Sequence, residues 1–366
     1  MTTTLGELLR LKVPTKFVLK SLFAVPYLSE SSKTPNFGRI QRADVSADSQ
    51  KTQIKHNWDW LPVQHSHHGP RHVTVLCHGL GFFDKTPEAL PRFQLHYWGS
   101  IIEAMRKIGT ELIIARVPST GTIAERARAL HAQLDGLLEP GTKVNFLAHS
   151  MGGLDCRHLI THINPQSYRP VSLTTLSCPH RGSPFMDWCR DYLGLGRVIP
   201  KLSQANADST NPATAPNHKM EDEEFILKET AINKAIPLSS AILTRTMLAR
   251  TIDCPAYANL TTAYCNKVFN PLTPDSDQVK YYSFAASAPT SFPIWHPLYL
   301  PHLVVSEAEG NVNDGLVSVE SSKWGQFVGT VDCDHWTLRG RGLPGTKFDV
   351  DEFYRGLGTF LYKEGF

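Results

Sequence analysis

A serine in the stretch His149-Ser150-Met151-Gly152 has the surroundings that a nucleophilic side chain requires. Residues 143–148 predict a buried strand, and a helix is expected from about Leu154. A tight turn between them would hold the hydroxyl above a sheet, with the Met151 amide beside it and the helix dipole behind it. Such a turn requires very small residues two positions before and after the serine, and alanine and glycine stand there. The alternative is a glycine-rich turn with an incidental serine.

A carboxylate and a histidine follow at positions from which they could activate that serine. Asp314 lies in the turn Asn313-Asp314-Gly315, and His335 follows a strand predicted at residues 328–333. The histidine would accept the serine proton, and a buried acid would fix the histidine tautomer and stabilise the imidazolium. Asp332 and Asp334 are rival acids, but they lie too near His335 in sequence for the usual arrangement. The plain alternatives are an aspartate that makes a turn and a histidine at a loop edge.

The loop His78-Gly79-Leu80-Gly81 follows an apolar strand predicted at residues 72–77. Glycine permits backbone conformations that expose amides, so this loop is a candidate hydrogen-bond donor to a developing oxyanion. An ordinary turn at a strand end is the alternative.

The spacing of apolar residues predicts strands that alternate with helices. Strands are expected at residues 72–77, 111–117, 143–148, 171–177, 281–286 and 328–333, with helices at 97–108, 122–138 and 154–163. This order predicts an α/β fold, a mostly parallel sheet with helices on both faces. Ligands bind at the carboxyl ends of such strands. The glycine loop, Ser150 and residues 178–183 all fall there.

The composition is that of a globular protein and lacks the large excess of positive charge that is typical of nucleic-acid-binding proteins. The chain has 366 residues, 41% hydrophobic and 19% charged, with a net charge of +3. No metal-binding spacing occurs, the histidines at 65–68 read as solvated, and no cofactor is expected. Seven cysteines without framework spacing favour a reducing compartment. No apolar run is long enough for a transmembrane helix.

Two segments differ from this core. Residues 1–70 form an N-terminal extension, and residues 71–366 form the α/β domain. Up to residue 33 the extension is basic and poor in acids, which favours a mitochondrial presequence over an ordinary basic terminus or a membrane-surface segment. An insertion at about 184–279 interrupts the alternation, with a polar loop followed by a helical stretch. It predicts either a mobile lid or a structural helical subdomain.

The motifs together resemble the bacterial true lipases and their fungal mitochondrial triacylglycerol lipase relatives, which are α/β-hydrolases. The matching text covers about residues 72–190 and 280–340, in these stretches: His78-Gly79-Leu80-Gly81, Tyr97-Trp98, Arg126-Ala127, Lys143-Val144-Asn145 with the serine turn, Ser172-Leu173-Thr174-Thr175, Pro179-His180-Arg181-Gly182-Ser183 and Asn313-Asp314-Gly315-Leu316-Val317.

The resemblance implies a serine nucleophile at Ser150, an acid at Asp314 and a base at His335. It also implies an oxyanion hole made by the Leu80 and Met151 amides. The implied reaction is hydrolysis of long-chain acylglycerol esters at a lipid–water interface, with peripheral contact to a membrane or lipid droplet. Many bacterial members bind a structural calcium through an aspartate two residues after the histidine. Thr337 stands there in this chain, so no calcium is expected.

Two further readings stay open. The same triad would serve a phospholipase, a thioesterase or an acyltransferase. The alternative outside the enzymes is an inactive binding protein with a hydrolase fold. Such a protein would be expected to lack a residue of the triad, and all three are present in this sequence.

Overall fold

Six apolar runs form one parallel sheet. The computed structural model describes residues 66–81, 97–196, 253–288, 292–341 and 347–366. The strands are β1 Val73–Cys77, β2 Leu112–Ile114, β3 Thr142–His149, β4 Tyr168–Leu176, β5 Lys280–Ala286 and β6 Gln326–Val331. Their order is β2-β1-β3-β4-β5-β6, and every neighbouring pair is parallel. All six predicted strands are therefore confirmed, and β3 lies inside the sheet.

The helices of the described chain lie between and after these strands. They are α1 Ser100–Lys107, α2 Ile123–Asp135, α3 Gly152–His158, α4 Pro184–Trp188, α5 Pro255–Asn259, α6 Thr262–Tyr264, α7 Asn270–Leu272, α8 Tyr299–Glu309, α9 Val319–Ser322 and α10 Val350–Lys363. Three π-helical turns, Leu159–Ile163, Cys189–Leu193 and Cys265–Phe269, continue α3, α4 and α6, and Thr337–Arg339 is a 3₁₀ turn. No helix among the described residues is long and apolar enough to cross a membrane.

The two faces of the sheet are covered by different helices because successive side chains of a strand point to opposite sides. Leu76 and Leu147 pack with the buried side chains of α1 and α10 on one face. Val75 and Phe146, their neighbours in sequence, pack with α2 and α3 on the other. The predicted arrangement of helices on both faces of a parallel sheet is therefore confirmed.

The boundaries of the elements follow from local chemistry. Helix α2 begins after Thr122, whose side chain accepts a hydrogen bond from the Glu125 amide while the Glu125 side chain returns one to the Thr122 amide. Strand β2 ends at Ile114, earlier than predicted, where it pairs with Leu76 of β1. Helix α1 begins at Ser100, later than predicted, after Gly99 with a φ of 42°.

The insertion predicted at about 184–279 is described only at its two ends. The Gly196 amide donates to Asp253 Oδ1 at 2.7 Å, so the two described ends of the insertion lie next to each other. Leu195 and Ala256 pack there with Met151 and Leu154 of the core. The rest of the insertion, including the predicted helical stretch, and the extension up to residue 65 lie outside the described residues.

Candidate active site

Ser150 lies at the turn between β3 and α3. Its φ is +56°, a left-handed value that a residue with a side chain seldom adopts. Strain of this kind costs about 1–3 kcal/mol and persists only where neighbouring structure imposes it. Here the Ser150 amide donates to the Leu176 carbonyl at 2.9 Å, and its carbonyl accepts from the Gly153 amide at 3.1 Å. The backbone of the serine is therefore held from both sides.

The loop after β1 presses directly against this turn, which explains two of the glycines. A Cβ on Gly152 would lie 2.6 Å from the Cys77 carbonyl oxygen. A Cβ on Gly79 would lie 2.7 Å from Ser150 Cβ. Either contact is closer than atoms can approach, so a larger residue would push the loop and the serine apart.

The structure brings the three residues of the predicted triad together. His335 Nε2 is 3.0 Å from Ser150 Oγ, and His335 Nδ1 is 2.7 Å from Asp314 Oδ2. A carboxylate can only accept, so Nδ1 carries the proton and Nε2 is the acceptor for the serine hydroxyl. The His335 amide also donates to the Asp314 carbonyl at 3.0 Å. Backbone and side-chain hydrogen bonds together hold the His335 ring between Asp314 and Ser150.

Asp314 is fully buried, and its second oxygen is occupied as well. Asp314 Oδ1 accepts from the amides of Leu316 at 2.9 Å and Val317 at 2.8 Å. These bonds offset the cost of burying the charge and stop the carboxylate from rotating. The turn at Asn313-Asp314-Gly315 therefore fixes the orientation of the Asp314 carboxylate.

The rival acids lie elsewhere. Asp332 is exposed. Asp334 accepts from the amides of Trp336 and Thr337 and from the Thr337 hydroxyl, so its carboxylate caps the 3₁₀ turn instead of meeting His335. This agrees with the expectation that both are too near the histidine in sequence.

Arg126, buried on α2, holds the glycine loop. Its Nη2 donates to the carbonyls of His78 at 2.7 Å and Gly79 at 3.3 Å, and its Nη1 donates to Pro118 at 2.8 Å. Its Nε donates to Asp155 Oδ2 of α3 at 2.8 Å. Burial raises the pKa of Asp155 to about 6, and the charge of Arg126 acts against that rise. One guanidinium therefore joins the loop after β1 to the helix after the serine.

The amides of Leu80 and Met151 have no hydrogen-bond acceptor among the described residues. Leu80 follows the carbonyls that Arg126 binds, and Met151 follows the serine. Their unsatisfied N–H groups are what an oxyanion hole requires.

Tyr97 supplies a second tie between the loop and the serine turn. Its hydroxyl oxygen accepts from the Gly79 amide at 2.9 Å and lies 2.8 Å from His149 Nδ1. The hydroxyl proton is therefore left to donate to His149. Burial, with the nearby charges of His335 and Arg339, holds the pKa of His149 well below its ordinary value, so its ring is neutral and able to accept. The His149 and His335 rings are 4.6 Å apart, so this network borders the histidine that contacts Ser150.

Sequence reasoning missed Arg126, Asp155 and Tyr97 as parts of the site. Arg126 and Tyr97 stand in the text that carries the family resemblance, but no role was assigned to them. A charged residue in the first turn of the apolar helix after the serine was the available signal for Asp155.

Residues 178–183, predicted to share the ligand-binding edge, are used for packing. The buried His180 ring stacks on Trp324 at 5.2 Å, and its Nε2 lies 3.1 Å from Thr175 Oγ1. Arg181 donates to the carbonyls of Glu320 and Lys323. These contacts fasten the loop after β4 to α9 and to the residues that precede β6.

The described histidines of the stretch 65–68 contact side chains of α10, and the cysteines form no disulfide. His67 Nε2 lies 3.1 Å from Glu352, and the His68 ring stacks on Tyr362. All seven cysteines are free. Among the residues that the structure describes, no group of three or more His, Cys, Asp or Glu side chains is arranged to hold a metal ion.

The relatives and structural neighbours found by comparison with known proteins include lipases and esterases. No family model matches the chain. Triacylglycerol lipase 2 of Saccharomyces cerevisiae is 29% identical over 84% of this chain and 96% of its own length. A triacylglycerol lipase of Burkholderia plantarii is 32% identical over 34% of each chain.

Solved structures of lipases and esterases share the fold. The Staphylococcus hyicus lipase has a TM-score of 0.54 at 18% identity, covering 82% of this chain and 98% of that one. A metagenomic carboxyl esterase has a TM-score of 0.54 at 17% identity, covering 83% and 79%. The predicted resemblance to bacterial true lipases and fungal triacylglycerol lipases is thereby confirmed. The chain therefore has the fold of these lipases and esterases and is similar in sequence to triacylglycerol lipases.

Proposed function

We propose that this protein is a triacylglycerol lipase, a carboxylic ester hydrolase that cleaves long-chain acylglycerols by way of an acyl-enzyme. The observation that carries the proposal is the continuous hydrogen-bonded path from Ser150 Oγ through the His335 ring to the Asp314 carboxylate. The sequence similarity to triacylglycerol lipases supports the choice of ester.

In the first half of the reaction Ser150 Oγ attacks the ester carbonyl. Its proton passes to His335 Nε2, and Asp314 stabilises the imidazolium that forms. The oxyanion of the tetrahedral intermediate accepts from the amides of Leu80 and Met151. Collapse of the intermediate breaks the ester bond, and the diacylglycerol oxygen takes the proton from His335 as it leaves.

In the second half water releases the fatty acid. His335 removes a proton from water, which attacks the acyl-enzyme carbonyl, and the same two amides hold the second oxyanion. The bond to Ser150 Oγ then breaks, and the serine recovers its proton from His335. Ester and water are consumed, and an alcohol and an acid are produced.

Release of fatty acid from an emulsified long-chain triacylglycerol tests the proposal. Wild type is expected to hydrolyse the emulsion, and Ser150→Ala is expected to lose the activity entirely. Ser167→Ala is the matched control, because that hydroxyl bonds Asp135 at the amino end of β4, the opposite edge of the sheet. Retained activity in folded Ser150→Ala would refute the nucleophile.

The same assay on phospholipid and acyl-thioester substrates, with and without an acceptor alcohol, separates the proposed lipase from enzymes that share its triad. A rate on triacylglycerol above those on the other substrates is expected. A reversed order would keep Ser150 and change the substrate class.

We also propose that the basic segment up to residue 33 directs the chain to mitochondria. The excess of lysine and arginine over acids in that segment supports the proposal. A fluorescent protein fused after residue 70 should be imported, and neutral substitutions at Arg10, Lys12, Lys16 and Lys20 should leave it outside. An unimported wild-type fusion would refute it.

A further inference from the structure

An apolar turn projects from the chain just after β5. The His296 amide donates to the Pro293 carbonyl at 2.8 Å, which places Ile294 and Trp295 at the two corners of a tight turn. Ile294 is 77% exposed and Trp295 is 64% exposed. Turn corners ordinarily carry Gly, Pro, Asn, Asp or Ser. Two large apolar side chains side by side at such a corner indicate a surface that meets something apolar.

The base of the turn is attached to both loops that carry the catalytic partners of Ser150. The Phe292 ring stacks on His296 at 4.7 Å and packs on Gly315, where a Cβ would lie 3.0 Å from the ring. On the other side the His296 ring lies 5.7 Å from Trp336. Gly315 follows Asp314 in sequence, and Trp336 follows His335. The base of the turn therefore contacts the residue next to each catalytic partner.

The chemistry around the turn distinguishes its partner. Residues 281–306 contain no Lys, Arg, Asp or Glu. The Asp334 carboxylate, which lies beside His296, is bound by the amides of Trp336 and Thr337, so the turn itself presents only uncharged side chains. Tryptophan prefers the boundary between water and lipid, where its ring is apolar and its N–H reaches water. An uncharged lipid surface fits these properties.

We propose that Ile294 and Trp295 form a lipid anchor, which enters the surface of an uncharged lipid phase and holds the catalytic loops against it. The inference rests on the proposed lipase function in one respect, because the surface is taken to be that of the substrate. The anchor makes adsorption, and not the chemical step, depend on these two side chains.

Adsorption to droplets of triolein coated with phosphatidylcholine tests the anchor. The protein carries Ser150→Ala, so that the droplets stay intact, and the fraction that floats with them is measured. Ile294→Ser/Trp295→Ser is expected to weaken adsorption by about 10- to 100-fold, from the loss of two apolar side chains. Leu137→Ser is the matched control, since Leu137 is 61% exposed but lies between α2 and β3 at the far edge of the sheet. It should adsorb normally.

Two results would overturn the anchor. One is equal adsorption of the double variant and Leu137→Ser, at unchanged thermal stability. The other is a change in sedimentation mass of the double variant without lipid, which would assign the turn to contact between copies of the chain. Adsorption needs no turnover, so it reports on the anchor even if the intact wild type hydrolyses no ester, a result that would refute the proposed function alone.

Discussion

Arg126 and Asp155 form a fully buried ion pair of 2.8 Å, and the same guanidinium binds the carbonyls of His78 and Gly79. The pair joins α2 to α3, and the carbonyl contacts extend that link to the loop that precedes the Leu80 amide. A planar fork with five N–H groups makes these bonds simultaneously, which an ammonium group on a flexible stem does not. Arg126 therefore positions the loop that carries the Leu80 amide.

Arg126→Lys should lower kcat on a soluble short-chain ester by about 10- to 100-fold, because a displacement of the Leu80 amide weakens the transition state more than the bound substrate. KM should change little. Steady-state kinetics measure kcat and KM separately and so check the prediction. The control is Arg128→Lys, on the exposed side of the same helix. A kcat equal to that of wild type would contradict this role.

Tyr97→Phe tests the second tie. The substitution keeps the ring, its edge contact with Trp98 and its place beneath the Arg339 guanidinium, but it removes the oxygen between Gly79 and His149. A buried amide left without a partner costs about 1–3 kcal/mol. We expect lower stability in urea and a kcat about tenfold lower, since the loop and the histidine before the serine lose their common bond.

The control for this prediction is Tyr282→Phe. It loses one hydroxyl bond, to Glu364, and lies on β5 away from Ser150. Its kcat should equal that of wild type. If both tyrosine variants lose kcat equally, Tyr97 acts on the fold and not on the site.

Stability should fall in mild acid because buried histidines resist protonation. Burial lowers the pKa of His78 to about 4, with the Arg126 charge adding to the shift, and burial lowers the pKa of His158 to about 4, with His162 and Arg128 adding. An unfolded histidine titrates near 6.5. Between about pH 6.5 and 4 the unfolded chain therefore binds more protons, so the free energy of unfolding decreases as the pH falls through this window.

Asp155 and Asp187 act with the opposite sign, since burial raises the pKa of each carboxyl in the folded state, but more histidines have a lowered pKa than carboxyls have a raised one. Urea unfolding at pH 7.5 and pH 5.5 checks the prediction. His158→Gln should reduce the difference in unfolding free energy between these two pH values. An unchanged difference in that variant would contradict the assignment.

The meeting of Ser150, His335 and Asp314 was predictable because each residue stands beside a local signal. Ser150 lies between an apolar strand and two glycines, and His335 and Asp314 follow late strands in chain order. The sheet was predictable for a related reason, since buried parallel strands are apolar runs separated by helical spacing.

The supporting contacts could not be predicted, because they join residues that are remote in sequence. Arg126 meets the His78 carbonyl only after β1, α2 and α3 have packed, and nothing near either residue indicates the other. Helix α10 was not predicted, although the sequence contains local signals for it. Asp349 caps it at the Glu352 amide, and buried Phe353 and Leu357 follow at helical spacing.

The central claim is that Ser150 is an activated nucleophile, and a fluorophosphonate ester measures this most directly. Such an ester phosphonylates an activated serine hydroxyl and stays attached. We expect one label on each wild-type chain, on the peptide that contains Ser150, and none on Ser150→Ala of equal thermal stability. Undiminished labelling of Ser150→Ala, or unlabelled folded wild type both alone and with lipid micelles, would contradict the account.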